Sequence, residues 1–258
     1  MRQSERHREI VRILEHTPLA TVDDLCRSLG ASPATVRRDL RALAADGRIV
    51  RIHGGAEPKQ APGRLQGTPF ARNVLANVPQ KKAIAKHAAD LLSDGEAIIM
   101  DAGSTTFFMC PHLRGRDLQV LTNSIPIVEQ LLGEPSVRLH VPGGEIFREQ
   151  NIVLSPFDNN GVNQYAASKM FMGAGALSKR GLAQSDSILI QAEQRLMSRA
   201  DELVVLADST KFAADASLVL CALERITRLV TDSGARDGDV AMMERAGVAV
   251  DVVEPLMP

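Results

Sequence analysis

Tryptophan is absent from this chain, tyrosine occurs once, and aromatic residues make up only 3% of 258. Aromatic rings usually supply the largest single burials in a core. With hydrophobic residues at 45%, the interior therefore has to be aliphatic and alanine-rich. Cysteine is scarce too: Cys26, Cys110 and Cys221 are odd in number, far apart and never arranged as CxxC. That excludes a disulfide scaffold and a CxxC centre, and leaves ordinary reduced thiols. No apolar run approaches the roughly 18 residues of a membrane-spanning helix, and the polar start MRQSERHRE carries no signal-peptide pattern. The expectation is a cytoplasmic protein with no membrane partner. HExxH is missing and the six histidines are dispersed, so no metal is expected; GAGALSKRG is not a GxGxxG, so no dinucleotide cofactor is expected either.

Net charge is almost absent, formally −1, yet unevenly spread. Residues 1–60 carry eleven Lys/Arg against eight Asp/Glu, and residues 61–258 carry nineteen against twenty-three. A polyanion would therefore meet the front end. The length suits a compact first domain of roughly 60 residues followed by a larger one.

Ile10, Val11, Ile13 and Leu14 mark one stripe of a helix from Ser4 to about His16. TVDDLCRSLG predicts a second, with Thr21 as N-cap, Asp24 completing a variant of the capping box, and Gly30 as terminator. Ser32 and Pro33 then open a third helix as N-cap and first residue. Two helices joined by so tight a turn describe a helix-turn-helix. On the third, Val36, Leu40 and Leu43 recur at i, i+4 and i+7 and face a small core. Ala34, Arg38, Arg41 and Ala45 lie opposite, flanked by Thr35 and Arg37. This narrow, basic face is either a solvated surface or one shaped for a major groove, where arginine is the commonest reader of guanine edges. The turn, the cap and the basic continuation together favour the groove. After Gly47, RIVRIHGGA predicts a β-ribbon of Ile49, Val50 and Ile52 with Arg48, Arg51 and His53, turning at Gly54-Gly55. Such a wing suits phosphates or the minor groove.

The domain reading is a winged helix-turn-helix over 1–57, a Pro/Gly/Asn/Gln-rich connector over 58–80 whose later part packs on the second domain, and an α/β domain over 81–258. From Lys81 a helix resumes with Ile84, Ala88, Leu91 and Leu92 on one side. Short apolar runs then alternate with helical stretches, as in a doubly wound α/β domain with a mainly parallel sheet. AIIM leads into DAGSTT, LQVL into TNS, RLHV into PGGE, MFMGAG into ALS, LVVL into ADSTK and RLVT into DSG. In an open α/β sheet ligands bind beyond the carboxyl ends of the strands, so these loops converge on one crevice. In DAGSTT, Gly103 allows a tight turn, Ser104, Thr105 and Thr106 bring hydroxyls, and the following helix start points N–H groups outward. The result is either an anion nest for a phosphate or a plain Ser/Thr helix cap. Thr122, Asn123 and Ser124 repeat the pattern, and Lys211 offers a countercharge. Gln150, Asn151, Asn159 and Asn160 either read hydroxyls or serve as turn residues. Residues 185–202 read as a helix with Leu189, Ala192, Leu196 and Met197 inward, and Glu193 either reaches the crevice or lies on a charged face.

SPATVRRDLRALAADGRIVRIHGGA resembles the DeoR-type winged helix of bacterial regulators of sugar metabolism, with T-[VI]-R-R-D-L at Thr35 to Leu40, Gly47, and R-x-H-G-G-A at Arg51 to Ala56. KKAIAKHAADLL, MDAGSTT, LTNS, PGGE and VLADSTKF with VTD resemble the effector domain of that family, which is similar in fold to ribose-5-phosphate isomerase and binds phosphorylated sugars. The resemblance implies operator contacts from Ser32, Ala34, Thr35, Arg37, Arg38, Arg41, Arg51, His53, Gly54 and Gly55. It implies effector contacts from Asp101, Gly103, Ser104, Thr105, Thr106, Thr122, Asn123, Ser124, Asp208 and Lys211, with Gly143 and Gly144 at a glycine-rich strand exit and Glu193 as a polar site residue. Residues 151–177 depart from the common pattern and look closer to the branch that includes the ascorbate-6-phosphate-responsive repressor, so sugar contacts do not transfer there. The implied protein is a homo-oligomer, dimer or tetramer, that represses a carbohydrate-catabolism operon on double-stranded DNA, is released by a phosphorylated sugar, and is not an enzyme. The alternative is a sugar-phosphate isomerase with an appended DNA-binding module. It needs a positioned carboxylate base, and the dense acidic segment of that enzyme has no clear counterpart here, where GALSKRG stands.

Overall fold

The computed structural model of the chain describes residues 2–16, 20–52, 54–58, 69–155, 161–214 and 216–256. They fall into two compact units, Met1–Arg64 and Leu65–Pro258. In the first, α1 (Gln3–His16), β1 (Ala20–Thr21), α2 (Val22–Leu29) and α3 (Pro33–Ala45) precede β2 (Ile49–Ile52) and β3 (Gly55–Pro58). The predicted caps are present. Thr21 Oγ1 accepts from Asp24 N at 3.1 Å while Asp24 Oδ2 accepts from Thr21 N at 3.2 Å, and Gly30 ends α2 with φ +59°. Ser32 Oγ accepts from Thr35 N at 3.3 Å, with Pro33 opening α3. Ile10 and Leu14 from α1, Leu25 and Leu29 from α2, and Val36, Leu40 and Leu43 from α3 interlock as one core. The ribbon gains an unforeseen third strand: β1 pairs antiparallel with β3, giving the order β1-β3-β2. Gly55 is needed for that approach, since a Cβ there would run into the Ala20 carbonyl oxygen.

Asp39 was not singled out by the pattern, yet it organises this unit. It sits mid-helix between Arg38 and Leu40 and is 1% exposed. Arg6 Nε donates to its Oδ2 at 2.7 Å and Arg6 Nη2 to its Oδ1 at 3.2 Å, while His7 Nε2 lies 3.1 Å from Oδ1. Burial works to raise the carboxyl pKa, but the hydrogen bonds and charges of Arg6 and His7 outweigh it and hold the group below its ordinary value.

In the second unit α4 (Phe70–Asn73) and α5 (Val78–Asp90) lead into β4 (Glu96–Met100), α6 (Ser104–Phe107), β5 (Leu118–Thr122), α7 (Ile125–Leu131) and β6 (Val137–His140). A hairpin of β7 (Glu145–Phe147) and β8 (Ile152–Leu154) follows, then β9 (Ala167–Met172), β10 (Ala176–Ser178), β11 (Gly181–Gln184), α8 (Ser187–Met197) and β12 (Ala200–Leu206). The chain closes with β13 (Leu218–Cys221), β14 (Arg228–Asp232), α9 (Asp237–Arg245) and β15 (Ala249–Val253). A seven-stranded sheet runs β15-β14-β12-β9-β4-β5-β6 with every neighbouring pair parallel. Alternation along β4 turns Ile98 and Met100 toward Ile84 and Ala88 of α5 and Ile127 of α7, and Ile99 toward the side that holds Leu196 of α8 and Met243 of α9. The sheet is therefore covered on both faces, as a doubly wound fold requires. The chain winds outward from β4 through β5 to β6, then resumes at β9 on the other side of β4, so the winding reverses between β4 and β9.

Several boundaries differ from the sequence expectation. α5 begins at Val78 with Pro79 in its first turn, ahead of Lys81. α8 stops at Met197, and Ala200 to Glu202, expected to be helical, open β12 because Ala200 pairs with Ala167 and Glu202 with Lys169 of β9. GALSKRG folds as the antiparallel β10–β11 hairpin, extended by β13. Phe70 N donates to Glu149 O at 3.0 Å and its ring meets Phe107 edge-on with centroids 5.5 Å apart, which ties this end of the expected connector into the second unit. Tyr165 Oη donates to Ile98 O at 3.3 Å. Among the described residues no helix is long and apolar enough to cross a membrane.

Replacing Asp39 by Asn keeps its shape and removes its charge. At neutral pH the exchange should destabilise the first unit by about 1–2 kcal/mol, read as a lower melting temperature. The folded-state pKa is depressed, so the advantage of the unaltered chain holds above about pH 4 and vanishes as pH falls through the folded value. Melting curves of the two proteins should converge in acid; a gap that persists there would assign the loss to packing.

Candidate functional site

Caps and core together present one side of α3 to solvent. Ala34, Arg37, Arg38 and Arg41 are exposed and Thr35 is half-buried, while Val36, Leu40 and Leu43 are turned inward. Among the described residues no carboxylate pairs with Arg37, Arg38 or Arg41, because the acid of this helix, Asp39, points to Arg6 and His7. A helix with side chains is about 10–12 Å across, and a B-form major groove is about 12 Å wide. Ser32 is exposed beside this face but is used as the helix cap. Arg51 is exposed on β2 opposite Ala56, Gly54 turns the ribbon with φ +83°, and Gly55 is buried against β1. His53 lies outside the described residues.

In the second unit a cavity of about 350 Å³ opens at the carboxyl edge of the sheet. Its lining takes Asp101 to Thr105 from the exit of β4, Gly173 to Gly175 from the exit of β9, Asn123 from that of β5, and Lys211 from beyond β12. It therefore straddles the reversal of winding, the place where open α/β sheets hold their ligands. Glu193 of α8, Gln184 and Gln150 form further wall, and Phe70, Asn73 and Lys81 contribute from the start of the unit.

Of the sequence-derived effector residues, Asp101, Gly103, Ser104, Thr105, Asn123, Glu193 and Lys211 line this cavity together. The others stand outside its lining. Thr106 Oγ1 donates to Asp101 O at 2.7 Å and to Gly103 O at 2.6 Å, holding the loop from beneath. Thr122 Oγ1 accepts from Ser124 N at 3.1 Å, and Ser124 Oγ caps α7 through Ile127 N at 3.4 Å. Asp208 Oδ1 accepts from Asn77 Nδ2 at 3.0 Å and from Thr210 N at 3.2 Å. Gly143 is exposed, and Gly144 serves the hairpin, where a Cβ would strike the backbone of Leu154. Gln150 reaches the cavity; Asn151 is a turn residue with φ +53°, and Asn159 and Asn160 lie outside the described residues. The helix-cap reading of DAGSTT does not hold: Gly103 occupies the N-cap of α6 and no side chain caps it.

Lys81 was missed. It is 3% exposed, lines the cavity and donates through Nζ to Asn73 O. Burial lowers its pKa to about 8; the charge of Asp208 opposes that shift, and the charge of Lys211, which also lines the cavity, adds to it. A signal was present, since Lys81 shares the i, i+3, i+7 stripe of Ile84 and Ala88, where a lysine stands out on a buried face. Elsewhere on the lining, burial pushes Asp101 up to about 6 against the backbone N–H groups of Ala102 and Gly173. Burial, then the charge of Asp101, raises Glu193 well above the carboxylate range, while a hydrogen bond from Gln184 Nε2, at 2.7 Å from Oε1, opposes it. Among the described residues, Asn123 Oδ1, Glu193 Oε2 and both polar side-chain atoms of Gln150 have no hydrogen-bond partner.

A family model of the DeoR-like helix-turn-helix domain matches residues 6–60, and one of the DeoR C terminal sensor domain matches residues 76–233. The HTH-type transcriptional regulator UlaR of Shigella dysenteriae serotype 1 (strain Sd197) is 31% identical over 252 residues, 97% of this chain and 99% of its own. UlaR of Escherichia coli O139:H28 (strain E24377A / ETEC) matches with the same identity and coverage. Among solved structures, ribose 5-phosphate isomerase A from Methanocaldococcus jannaschii aligns with 53% of this chain and 55% of its own at 19% identity and a TM-score of 0.40.

Asp101 binds its proton more tightly when folded than when unfolded, so stability falls as pH rises through the window between its ordinary value and about 6. The loss is about 3 kcal/mol, the equivalent of roughly two pKa units. Asp101→Asn should flatten the stability profile of the second unit across that window, as read from denaturant titrations in mildly acidic buffers. An unchanged slope would show that Asp101 does not titrate there.

Proposed function

This chain belongs to the DeoR family of helix-turn-helix transcriptional regulators, and from that premise we propose that it is a homo-oligomeric repressor of a carbohydrate-catabolism operon, released when a phosphorylated sugar fills the cavity of its second unit. The observation that carries this reading is the cavity at the winding reversal, whose lining includes Lys81, Lys211 and the start of α6. Ammonium groups and the first-turn N–H donors of a helix suit a phosphate. Lys81 gains full charge beside a dianion, because an opposite charge reverses the effect of burial. Asp101, Asn123, Gln150 and Glu193 are left to read hydroxyls.

Residues 1–57 act as the DNA-binding part, with Arg37, Arg38 and Arg41 on base edges and phosphates and Arg51 on the flanking backbone. In a dimer, paired α3 helices reach half-sites one helical turn apart, about 34–36 Å. The effector releases DNA only by binding the two arrangements of the protein unequally, and operator DNA weakens effector binding by the same factor.

Arg38→Ala should weaken binding to DNA selected by the unaltered chain from a random pool, by about 1–3 kcal/mol if the contact is bidentate, and should relax sequence preference. Unchanged footprints and affinity would remove Arg38 from the interface. Ser104→Glu sets a carboxylate where the phosphate rests; it should abolish release by sugar phosphates while DNA affinity in anisotropy titrations stays intact. Retained release would place the phosphate elsewhere.

A further inference from the structure

Glu193 and Asp101 bring two carboxyls to the lining of one cavity with no cation between them: among the described residues neither forms an ion pair. Glu193 is 4% exposed, its Oε1 accepts from Gln184 Nε2, and its Oε2 has no partner among the described residues. Asp101 is held by the backbone N–H groups of Ala102 and Gly173. Asn123, also 4% exposed, turns an unpartnered Oδ1 to the same space. Buried polar atoms left without partners are costly, so an occupant of this end has to supply hydrogen-bonding groups.

Charge decides which groups. Two neighbouring carboxyls in dry surroundings do not both ionise. Asp101, with two N–H donors, is the one that releases its proton, and its charge then holds the proton on Glu193. The other groups facing Glu193 do not alter this. Gln184 is neutral, the Cys221 thiol on β13 is pushed up to about 11 by burial and stays protonated, and the charges that act on Lys81 are those of Asp208 and Lys211.

We propose that Glu193, as a neutral acid, donates a hydrogen bond through Oε2 to an oxygen of the effector while the Asp101 carboxylate accepts from an adjacent hydroxyl, so that the cavity selects phosphorylated polyols over compounds with an amine at that end. Gln184 is the positioning residue, fixing Oε1 so that the protonated oxygen faces the ligand. This assignment rests on the sugar-phosphate reading of the cavity. It makes effector binding proton-linked, with affinity falling as pH rises through the Glu193 value. An ammonium ligand would instead draw both carboxyls into their ionised forms.

The test titrates the full chain with ribose 5-phosphate, glucose 6-phosphate and glucosamine 6-phosphate, by calorimetry and thermal shift, at about pH 6 and about pH 9. Glu193→Gln keeps a donor but cannot lose a proton, and Glu193→Leu keeps bulk alone. Relative to the Gln variant, the unaltered chain should lose affinity for its best hydroxyl probe by about tenfold per pH unit above the Glu193 value. Glu193→Leu should bind poorly at both pH values, and the amine should bind less well than its hydroxyl counterpart. Tighter binding of glucosamine 6-phosphate, or unimpaired binding by Glu193→Leu, would overturn the role of Glu193 and leave the sugar-phosphate reading intact. No binding of any probe to the unaltered chain would overturn both.

Discussion

Strands that all run one way must all end on one edge, and that constraint assembles the cavity. The residues that line it, Asp101, Asn123, Gly173 and Lys211, are far apart in the chain and share only their place just past a parallel strand. The same geometry explains why the strands look so unlike their exits. Covered on both faces, β4 and β12 are nearly continuous aliphatic runs, and polar side chains are expelled to the ends. Winding reverses between β4 and β9, and there loops 101–105 and 173–175 touch at Gly103 and Gly173 and together form one wall of the space. Lys81 arrives over the edge from the helix layer on one face and Glu193 from the layer on the other, so both layers converge on one space.

The first unit depends on a charge facing the other way. A helix that offers three arginines to solvent carries its one buried carboxylate on the opposite side, where Arg6 of α1 neutralises it and His7 of α1 lies within hydrogen-bond reach. The pairing locks α1 to α3 and keeps acid off the outward face, where it would repel phosphates. Exposed arginine and buried aspartate are consecutive in sequence and are separated by helical phase alone.

Local chemistry was legible, and long-range pairing was not. Thr21 with Asp24, Gly30, and Ser32 with Pro33 state their helix boundaries within a few residues, and the structure has those boundaries. The parallel strands could be read from aliphatic runs followed by polar exits. β1, β10, β11 and β13 could not, because each is a short segment defined by a partner remote in the chain or by a hairpin of few residues. The end of α8 was misjudged for the same reason: the pattern allowed more helix, and pairing with β9 claimed Ala200 onward. In the cavity, composition identified the polar loops but not the direction of each hydroxyl. Ser104 and Thr105 line the space while Thr106, one residue on, is spent on the carbonyls of Asp101 and Gly103. Lys81 and Gln184 lie outside those loops, and packing between elements brings them in.

Tyr165, the only tyrosine in a chain without tryptophan, donates its hydroxyl to the Ile98 carbonyl of the central strand β4. Ultraviolet emission from this protein consequently originates almost wholly in the second unit, because the first, Met1–Arg64, holds no Phe, Tyr or Trp. A fluorescence-monitored melt thus follows the second unit, whereas circular dichroism follows both; an indole introduced into the first unit would be the chain's one tryptophan and an unambiguous reporter of that unit.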